Sequence, residues 1–260
     1  MAGILKAVYI IWLRDVIRFY REKARIVGML GQPLLYLLIM GTGLSASFRM
    51  PSAPAGFNYL EFMYPGIIGM TVLFTSVFSA ISIVWDREFG FLREVLVAPV
   101  PRWTVAIGKA LGGSTIAMLQ ASILILVAPL IGVGIGPLMV LKLMGMLFLI
   151  AFSLTSLGIT IAAKMETMEG FQMIMNFLVM PLFFLSGALF PLRGVPAWME
   201  TLMKADPLTY GVDALRHIMY AASPARDYLI QFSFSTDLAV VCAMSLIFIT
   251  VGTVAFNRSE

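Results

Sequence analysis

The sequence predicts an all-α integral membrane protein: six transmembrane helices, an N-terminal amphipathic interfacial helix, a charged amphipathic helix between the second and third spans, and a helical hairpin that re-enters the membrane from the far side. Three observations carry this reading. Apolar residues make up 60% of the chain and charged ones 12%, with a mean hydropathy of +0.94, whereas soluble domains carry about 25% charged residues. Six segments contain no Asp, Glu, Lys or Arg over lengths that cross a bilayer. The charge that remains is concentrated at a few places between them.

With 260 residues, the chain forms one membrane domain and has no room for a large soluble domain beside it. The single cysteine, Cys242, lies in an apolar run, which rules out an intrachain disulfide or a cysteine metal cluster and points to packing. A net charge of +4 is modest, its distribution says more than its total, and nucleic acid is not an expected partner.

Residues 1–25 do not read as a cleavable signal peptide, because the apolar run is short and is followed by charge. On a helix, Arg14, Arg18, Arg21 and Arg25 share one side while Tyr9, Leu13, Val16 and Tyr20 share the other. This predicts an interfacial helix. Trp12, Phe19 and Tyr20 suit the headgroup level, and the arginines face anionic lipid.

Crossing the hydrocarbon core takes about 20 mainly apolar residues. Residues 26–48, 62–85, 110–141, 143–163, 170–192 and 238–257 supply six such gaps. The gap at 110–141 exceeds one span; Pro129 and the Gly132, Gly134, Gly136 and Pro137 cluster turn the chain within it. With the N-terminus inside, 12 of the Lys and Arg residues fall on inner segments and 6 on outer ones, which orients both termini, including the tail 258–260, toward the cytoplasm. The longest stretch outside the spans, 191–237, is cut by Pro191, Pro196, Pro207 and Pro224. Short helices over 197–204 and 209–220 are expected there as a re-entrant hairpin, since backbone in lipid must be helical or covered by protein.

Residues 86–102 read DREFGFLREVLVAPVPR. On a helix Asp86, Arg87, Gly90, Arg93 and Glu94 share one side, while Phe89, Leu92, Val95 and Leu96 occupy most of the other. Pro99 and Pro101 end the helix. Such a segment is either an interfacial anchor or an addressable handle on the cytoplasmic face.

The chemistry-bearing motifs are mostly absent. A phosphate-binding loop needs GxxxxGK[ST], and Gly108-Lys109 is followed by Ala110 without the upstream glycine. The chain therefore has no visible means of binding ATP. Ion-coupled carriers place ionisable groups inside their spans; the six gaps have none, although Glu61 and Asp237 at span ends could lie deeper. Gln32, Gln120, Gln172 and Asn176 are the uncharged polar residues singled out within spans, read first as interhelical hydrogen bonders. Asp213 and His217, the only histidine, are spaced i, i+4 and read as a structural hydrogen-bonding pair, since two residues make neither a metal site nor a triad. Nineteen methionines spread over the spans read as compliant packing.

Two blocks resemble the permease subunit of type-2 ABC transporters. DREFGFLREVLVAPVPRWTVAIGKALGG, residues 86–113, is similar to the family signature in which a charged-Gly-Leu-Glu segment precedes APV-x-R and a later GK. SGALFPLRGVPAWMETLMKADPLTYGVDALR, residues 186–216, is similar to the outer segment with its SG-x-x-x-P, Pro-Leu-Thr-Tyr and closing Ala-Leu-Arg. Asp206 stands where an asparagine is common. The resemblance implies that 26–257 is one six-span domain and that 86–98 is a coupling helix seated in a groove of a separate ATPase subunit. Asp86, Arg87, Glu88, Phe89, Gly90, Phe91, Leu92, Arg93 and Glu94 would then form the ATPase-coupling interface, with the helix bearing Arg14, Arg18, Arg21 and Arg25 close by. It also implies a homodimer or close heterodimer of permeases in the cell inner (plasma) membrane, ATP and Mg bound only in the partner subunit, and no catalysis by this chain.

The expected function is export of an amphipathic substrate, a drug-like molecule or a lipid-linked glycan. An ATP-independent carrier or channel is the alternative and needs an intramembrane charge or polar pore. A membrane-embedded lipid-modifying enzyme is the other, with only Asp213 and His217 to offer as catalytic groups.

Overall fold

The computed structural model describes residues 2–41, 43, 59–90, 101–192, 194–221 and 223–258. Among these the chain is helical, with no strand. Helix α1 covers Ala2–Arg21, and α2 covers Lys23–Leu35 and continues through a π turn at Tyr36–Met40. Next come α3 (Tyr59–Ser79), α4 (Ile81–Glu88) and α5 (Arg102–Ile125). A 3₁₀ turn at Ala128–Ile131 leads to α6 (Pro137–Ala162) and α7 (Met168–Leu185). The chain closes with α8 (Ala197–Ala205), α9 (Pro207–Met219), the short α10 (Arg226–Leu229) and α11 (Phe234–Arg258).

Four stretches are long and apolar enough to cross a membrane: Tyr59–Glu88, Pro137–Ala162, Met168–Leu185 and Arg226–Asn257. Helix α5 is 24 residues long, but Gly108, Lys109, Gly112, Gly113 and Gln120 lower its hydropathy. Ile26–Ile39 forms a shorter apolar helix, and the remainder of the expected 26–48 span lies largely outside the described residues.

Helix α3 forms the core, buried on nearly every side from Phe62 to Val77. It packs on α5 and α6, α6 packs on α11, and α9 lies across α3, α6 and α11. Small residues set these approaches. A Cβ on Gly158 would come within 2.8 Å of the Val77 carbonyl oxygen, so α6 and α3 touch backbone to backbone, as membrane helices do when packing rather than hydrophobic transfer drives association. Ser79 and Ser82 donate to the carbonyls of Ser76 and Ser79, and this back-bonding accompanies the break between α3 and α4.

The expected turn at Pro129 and the glycines and the expected helix starts after prolines are present, while the helix ends differ from the uncharged gaps by several residues. Pro129 and the glycine cluster turn the chain between α5 and α6, and α6 starts with Pro137 at its first position, where a missing N–H costs nothing. The two helices expected after prolines are α8 and α9. They differ in surroundings: Trp198 and Leu202 of α8 are exposed, whereas Leu208, Val212 and Leu215 of α9 are buried in the protein, so the covering for α9 is protein and not lipid.

Three expectations need correction. The interfacial helix ends at Arg21 and not at residue 25, because Glu22 leaves helical geometry; Arg25 belongs to α2. Helix α1 is also not interfacial alone: Tyr9 and Tyr20 are exposed, but Phe19 is buried and Ile11, Trp12 and Asp15 face α5. Finally, no helix begins at Asp86: Asp86 to Glu88 finish α4, and the chain turns at Phe89 and Gly90, where φ is +80°. Residues 91–98 of the expected coupling helix lie outside the described residues.

Asp206 caps α9 by accepting from the Leu208 N–H at 2.9 Å, which satisfies one of the helix's orphan donors. Burial pushes its pKa up to about 8, so near neutrality it keeps its proton and can cap as an asparagine would. The folded pKa lies above the unfolded one, so this contribution is complete below about pH 4 and is lost as pH rises toward 8. Asp206→Asn should flatten that dependence: thermal unfolding in detergent from pH 5 to 9 should show the wild type losing more stability than the variant.

Candidate functional site: the charged end of the helix bundle

At one end of the bundle α1, α4 and α5 meet around Lys109, which is 4% exposed. Its Nζ lies 3.3 Å from Asp15 Oδ1 on α1, 3.3 Å from Asp86 Oδ2 on α4 and 2.9 Å from Ser82 Oγ. Arg14 Nη2 donates to the same Asp86 oxygen at 2.9 Å. Two carboxylates and two cations thus close a neutral network. The ammonium has three protons and three acceptors, which is what a buried lysine requires.

Glycine makes this meeting possible. A Cβ on Gly108 would lie 2.8 Å from Ile11 Cβ, and one on Gly112 would lie 3.1 Å from Asp15 Cβ. Helix α1 therefore lies directly against the α5 backbone, and Trp12 Nε1 donates to Thr115 Oγ1 at 3.0 Å.

The next two residues of α4 reach other helix ends. Arg87 Nη1 donates to the carbonyls of Ala162 at 3.2 Å and Met165 at 2.6 Å, placing a cation at the C-terminus of α6, where the helix dipole favours it. Glu88 Oε2 accepts from the Met168 N–H at 3.0 Å, placing an anion at the N-terminus of α7. Three consecutive charged residues therefore tie α4 to α1 and α5, to α6, and to α7. Beyond them Phe89 is exposed and packs on Trp85 with ring centres 4.8 Å apart, and the Arg18 guanidinium lies 5.8 Å from the Trp85 ring.

Of the expected coupling residues, Asp86, Arg87 and Glu88 are thus engaged within the chain, Phe89 and Gly90 are exposed, and Phe91, Leu92, Arg93 and Glu94 lie outside the described residues. Arg14, Arg18 and Arg21 are exposed on α1. Sequence reasoning missed Lys109 and Asp15. The available signals were a lone acid among the arginines of the first helix and a lysine flanked by glycines one helical turn apart.

The polar residues within spans divide. Gln120 is buried and accepts from Thr75 Oγ1, as expected for an interhelical bond. Gln172 and Asn176 instead lie on an exposed face of α7 with Met173, Phe177 and Phe184. Gln32 lines a cavity of about 180 Å³ between α2 and α3, with Met70, Thr71, Phe74, Thr75 and Phe78. Asp213 accepts from the Gln231 and Phe232 amides at 2.9–3.1 Å, and His217 Nε2 lies 2.8 Å from the Phe232 carbonyl. Both make the structural hydrogen bonds expected of them. In the second motif block, Arg216 is fully buried, donates to the Gly187 carbonyl at 2.7 Å and sits 4.4 Å over the Phe62 ring.

The fold is that of a helical membrane protein, with its two motif blocks at the Lys109 network and around Arg216. Residues 6–220 match the sequence profile of the ABC-2 type transporter, and the chain belongs to that family. It is thereby a membrane subunit of an ABC-type transporter. A Cyanophora paradoxa chain named, provisionally, transport permease ycf38 is 29% identical over 259 residues, 98% of this chain and 89% of that one. Nodulation protein J of Rhizobium leguminosarum bv. viciae is 23% identical over 251 residues, 95% of this chain and 93% of its own length. A chain of Escherichia coli (strain K12) named, again provisionally, multidrug ABC transporter permease YbhR is 27% identical over 169 residues, 62% of this chain and 44% of that one.

Lys109→Met should leave Asp15 and Asp86 with only the half-exposed Arg14 between them, at a cost toward the lower end of the about 3–5 kcal/mol typical of a broken buried pair. Thermal unfolding of the purified protein measures this, and adding Asp15→Asn to Lys109→Met should recover part of the loss.

Proposed function

We propose that this chain is the permease half of an ATP-driven exporter, acting as two copies with a separate ATPase subunit that binds the ATP and magnesium. The observation that carries the proposal is the anchoring of residues 86–88: a force applied just beyond Gly90 reaches α1, α5, α6 and α7 together through Asp86, Arg87 and Glu88. Phe89 and Gly90, which are exposed, then dock on the ATPase together with Phe91, Leu92, Arg93 and Glu94, the residues that follow them in the chain. Arg14, Arg18, Arg21 and Arg25 flank that surface and contact anionic headgroups.

In this reading six crossings are formed by α2, α3 with α4, α5, α6, α7 and α11, both termini face the cytoplasm, and the membrane is the cell inner (plasma) membrane. The lysine and arginine bias supports the orientation. A second copy packs on α7, whose exposed Gln172 and Asn176 can hydrogen-bond across a dimer where lipid offers no partner. The cavity between α2 and α3, with aromatic walls and Gln32, Thr71 and Thr75, suits an amphipathic cargo whose polar groups need partners in an otherwise apolar site.

Two experiments test this. In a purified permease–ATPase complex, Glu94→Arg and Gly90→Trp should each reduce transport and stimulated ATP hydrolysis several-fold while membrane insertion is retained; Gly90 adopts φ of +80°, which a bulky side chain resists. Unchanged coupling in both would remove the proposal. In a Cys242→Ser background, Phe177→Cys should form a disulfide-linked dimer in membranes, read on a non-reducing gel.

A further inference from the structure

At the bundle end where α9 meets the start of α11, Asp213, His217 and Asp237 bring one ligand atom each within 4.8 Å of one another. Asp237 is fully buried, and neither of its carboxylate oxygens has a hydrogen-bond partner among the described residues. The His217 ring is beside it, with Nε2 3.6 Å from Oδ2. A buried carboxylate without a donor is costly. Here it also faces a second carboxylate, Asp213, and a ring nitrogen. Arg216, one turn along α9 from Asp213, donates to the Gly187 carbonyl and covers the Phe62 ring.

We infer that Asp213, His217 and Asp237 form a binding site for a first-row divalent transition-metal ion that pins α9 to the start of α11. The donor set favours that class: one imidazole nitrogen with two carboxylates suits zinc and its neighbours, while calcium and magnesium prefer all-oxygen sites. Two carboxylates neutralise a dication, which resolves the like-charge meeting. Asp213 is already oriented by three N–H bonds from Gln231 and Phe232 and retains lone-pair capacity, an arrangement typical of outer-shell support for a metal ligand.

The Phe232 carbonyl holds the ring when no metal is present. It lies 2.8 Å from His217 Nε2, so without metal that nitrogen donates its proton to the carbonyl. On binding, Nε2 gives up that hydrogen bond and its lone pair turns to the metal, which requires the tautomer with the hydrogen on Nδ1. An entry path exists, because His217 forms part of the wall of a cavity of about 390 Å³ that Phe234, Leu238 and Gly145 also line. The cation on that wall, Lys142, is exposed.

The test uses the full chain, purified on a tag free of histidine and stripped with a chelator. Zinc should then bind at about one equivalent per chain and raise the unfolding temperature. His217→Gln and Asp237→Asn should each weaken binding at least about tenfold and abolish the thermal shift, and calcium or magnesium in excess should not compete. Because His217 is the only histidine, zinc should also protect the wild type from modification by diethyl pyrocarbonate, a readout that needs no variant to fold. No zinc uptake, undiminished affinity in the variants, equal competition by calcium, or unprotected modification would each overturn the inference.

Discussion

A single buried ammonium, Lys109 Nζ, decides how this end of the molecule is built. It holds the carboxylates of Asp15 and Asp86 from two other helices, and without it these two like charges would keep only the half-exposed Arg14 as a counter-ion. Exposed ion pairs contribute little, about 0–1 kcal/mol, because water competes and long side chains lose freedom. The Lys109 pairs differ, since desolvation has already occurred and every proton has an acceptor. Such a network is a stringent geometric constraint more than a source of net stability. Helices α1, α4 and α5 can meet there in one register only, with glycines at 108 and 112 allowing the approach.

That constraint fixes the root of the 86–98 segment. Because Asp86, Arg87 and Glu88 each grip a different partner, α4 cannot tilt alone; Arg87 would pull on the end of α6 and Glu88 on the start of α7. A driven change between two membrane-domain states needs contacts that differ between them. A root joined to four helices can alter several such contacts at once, which an anchor merely resting in the headgroups could not do.

Much of the architecture was legible because bilayer thickness imposes long uncharged runs, and because prolines and glycines mark where those runs turn. The 3₁₀ turn before α6 and the starts of α8 and α9 followed from that punctuation. What could not be read was which side of a helix meets protein. In a soluble helix apolar residues point inward, but in lipid both sides are apolar, so Tyr9 and Tyr20 of α1 face outward while Asp15 faces inward. The same ambiguity hid the outward placement of Gln172 and Asn176. The charged residues at 86–88 looked like surface because charge usually is; their partners, Lys109 and the ends of α6 and α7, are 23 to 80 residues away in the chain, beyond any local pattern.

The two motif blocks meet the same rod at its two ends. Helices α3 and α4 form one apolar run from Tyr59 to Glu88, about 45 Å at 1.5 Å per residue. Near its start, Phe62 lies under the buried Arg216 guanidinium and the Glu61 carbonyl accepts from Tyr220 Oη at 2.5 Å; near its finish, Asp86 lies under Lys109. Between these points Val77 and Ala80 close against Gly158 at backbone contact, and packing this dense does not deform continuously. A displacement of the rod at the Lys109 end therefore has to be expressed at the Arg216 end, with only the Ser79–Ala80 break as a place to bend. In that geometry Arg216 and Tyr220 grip the far end of the same rod whose near end carries Asp86 to Glu88.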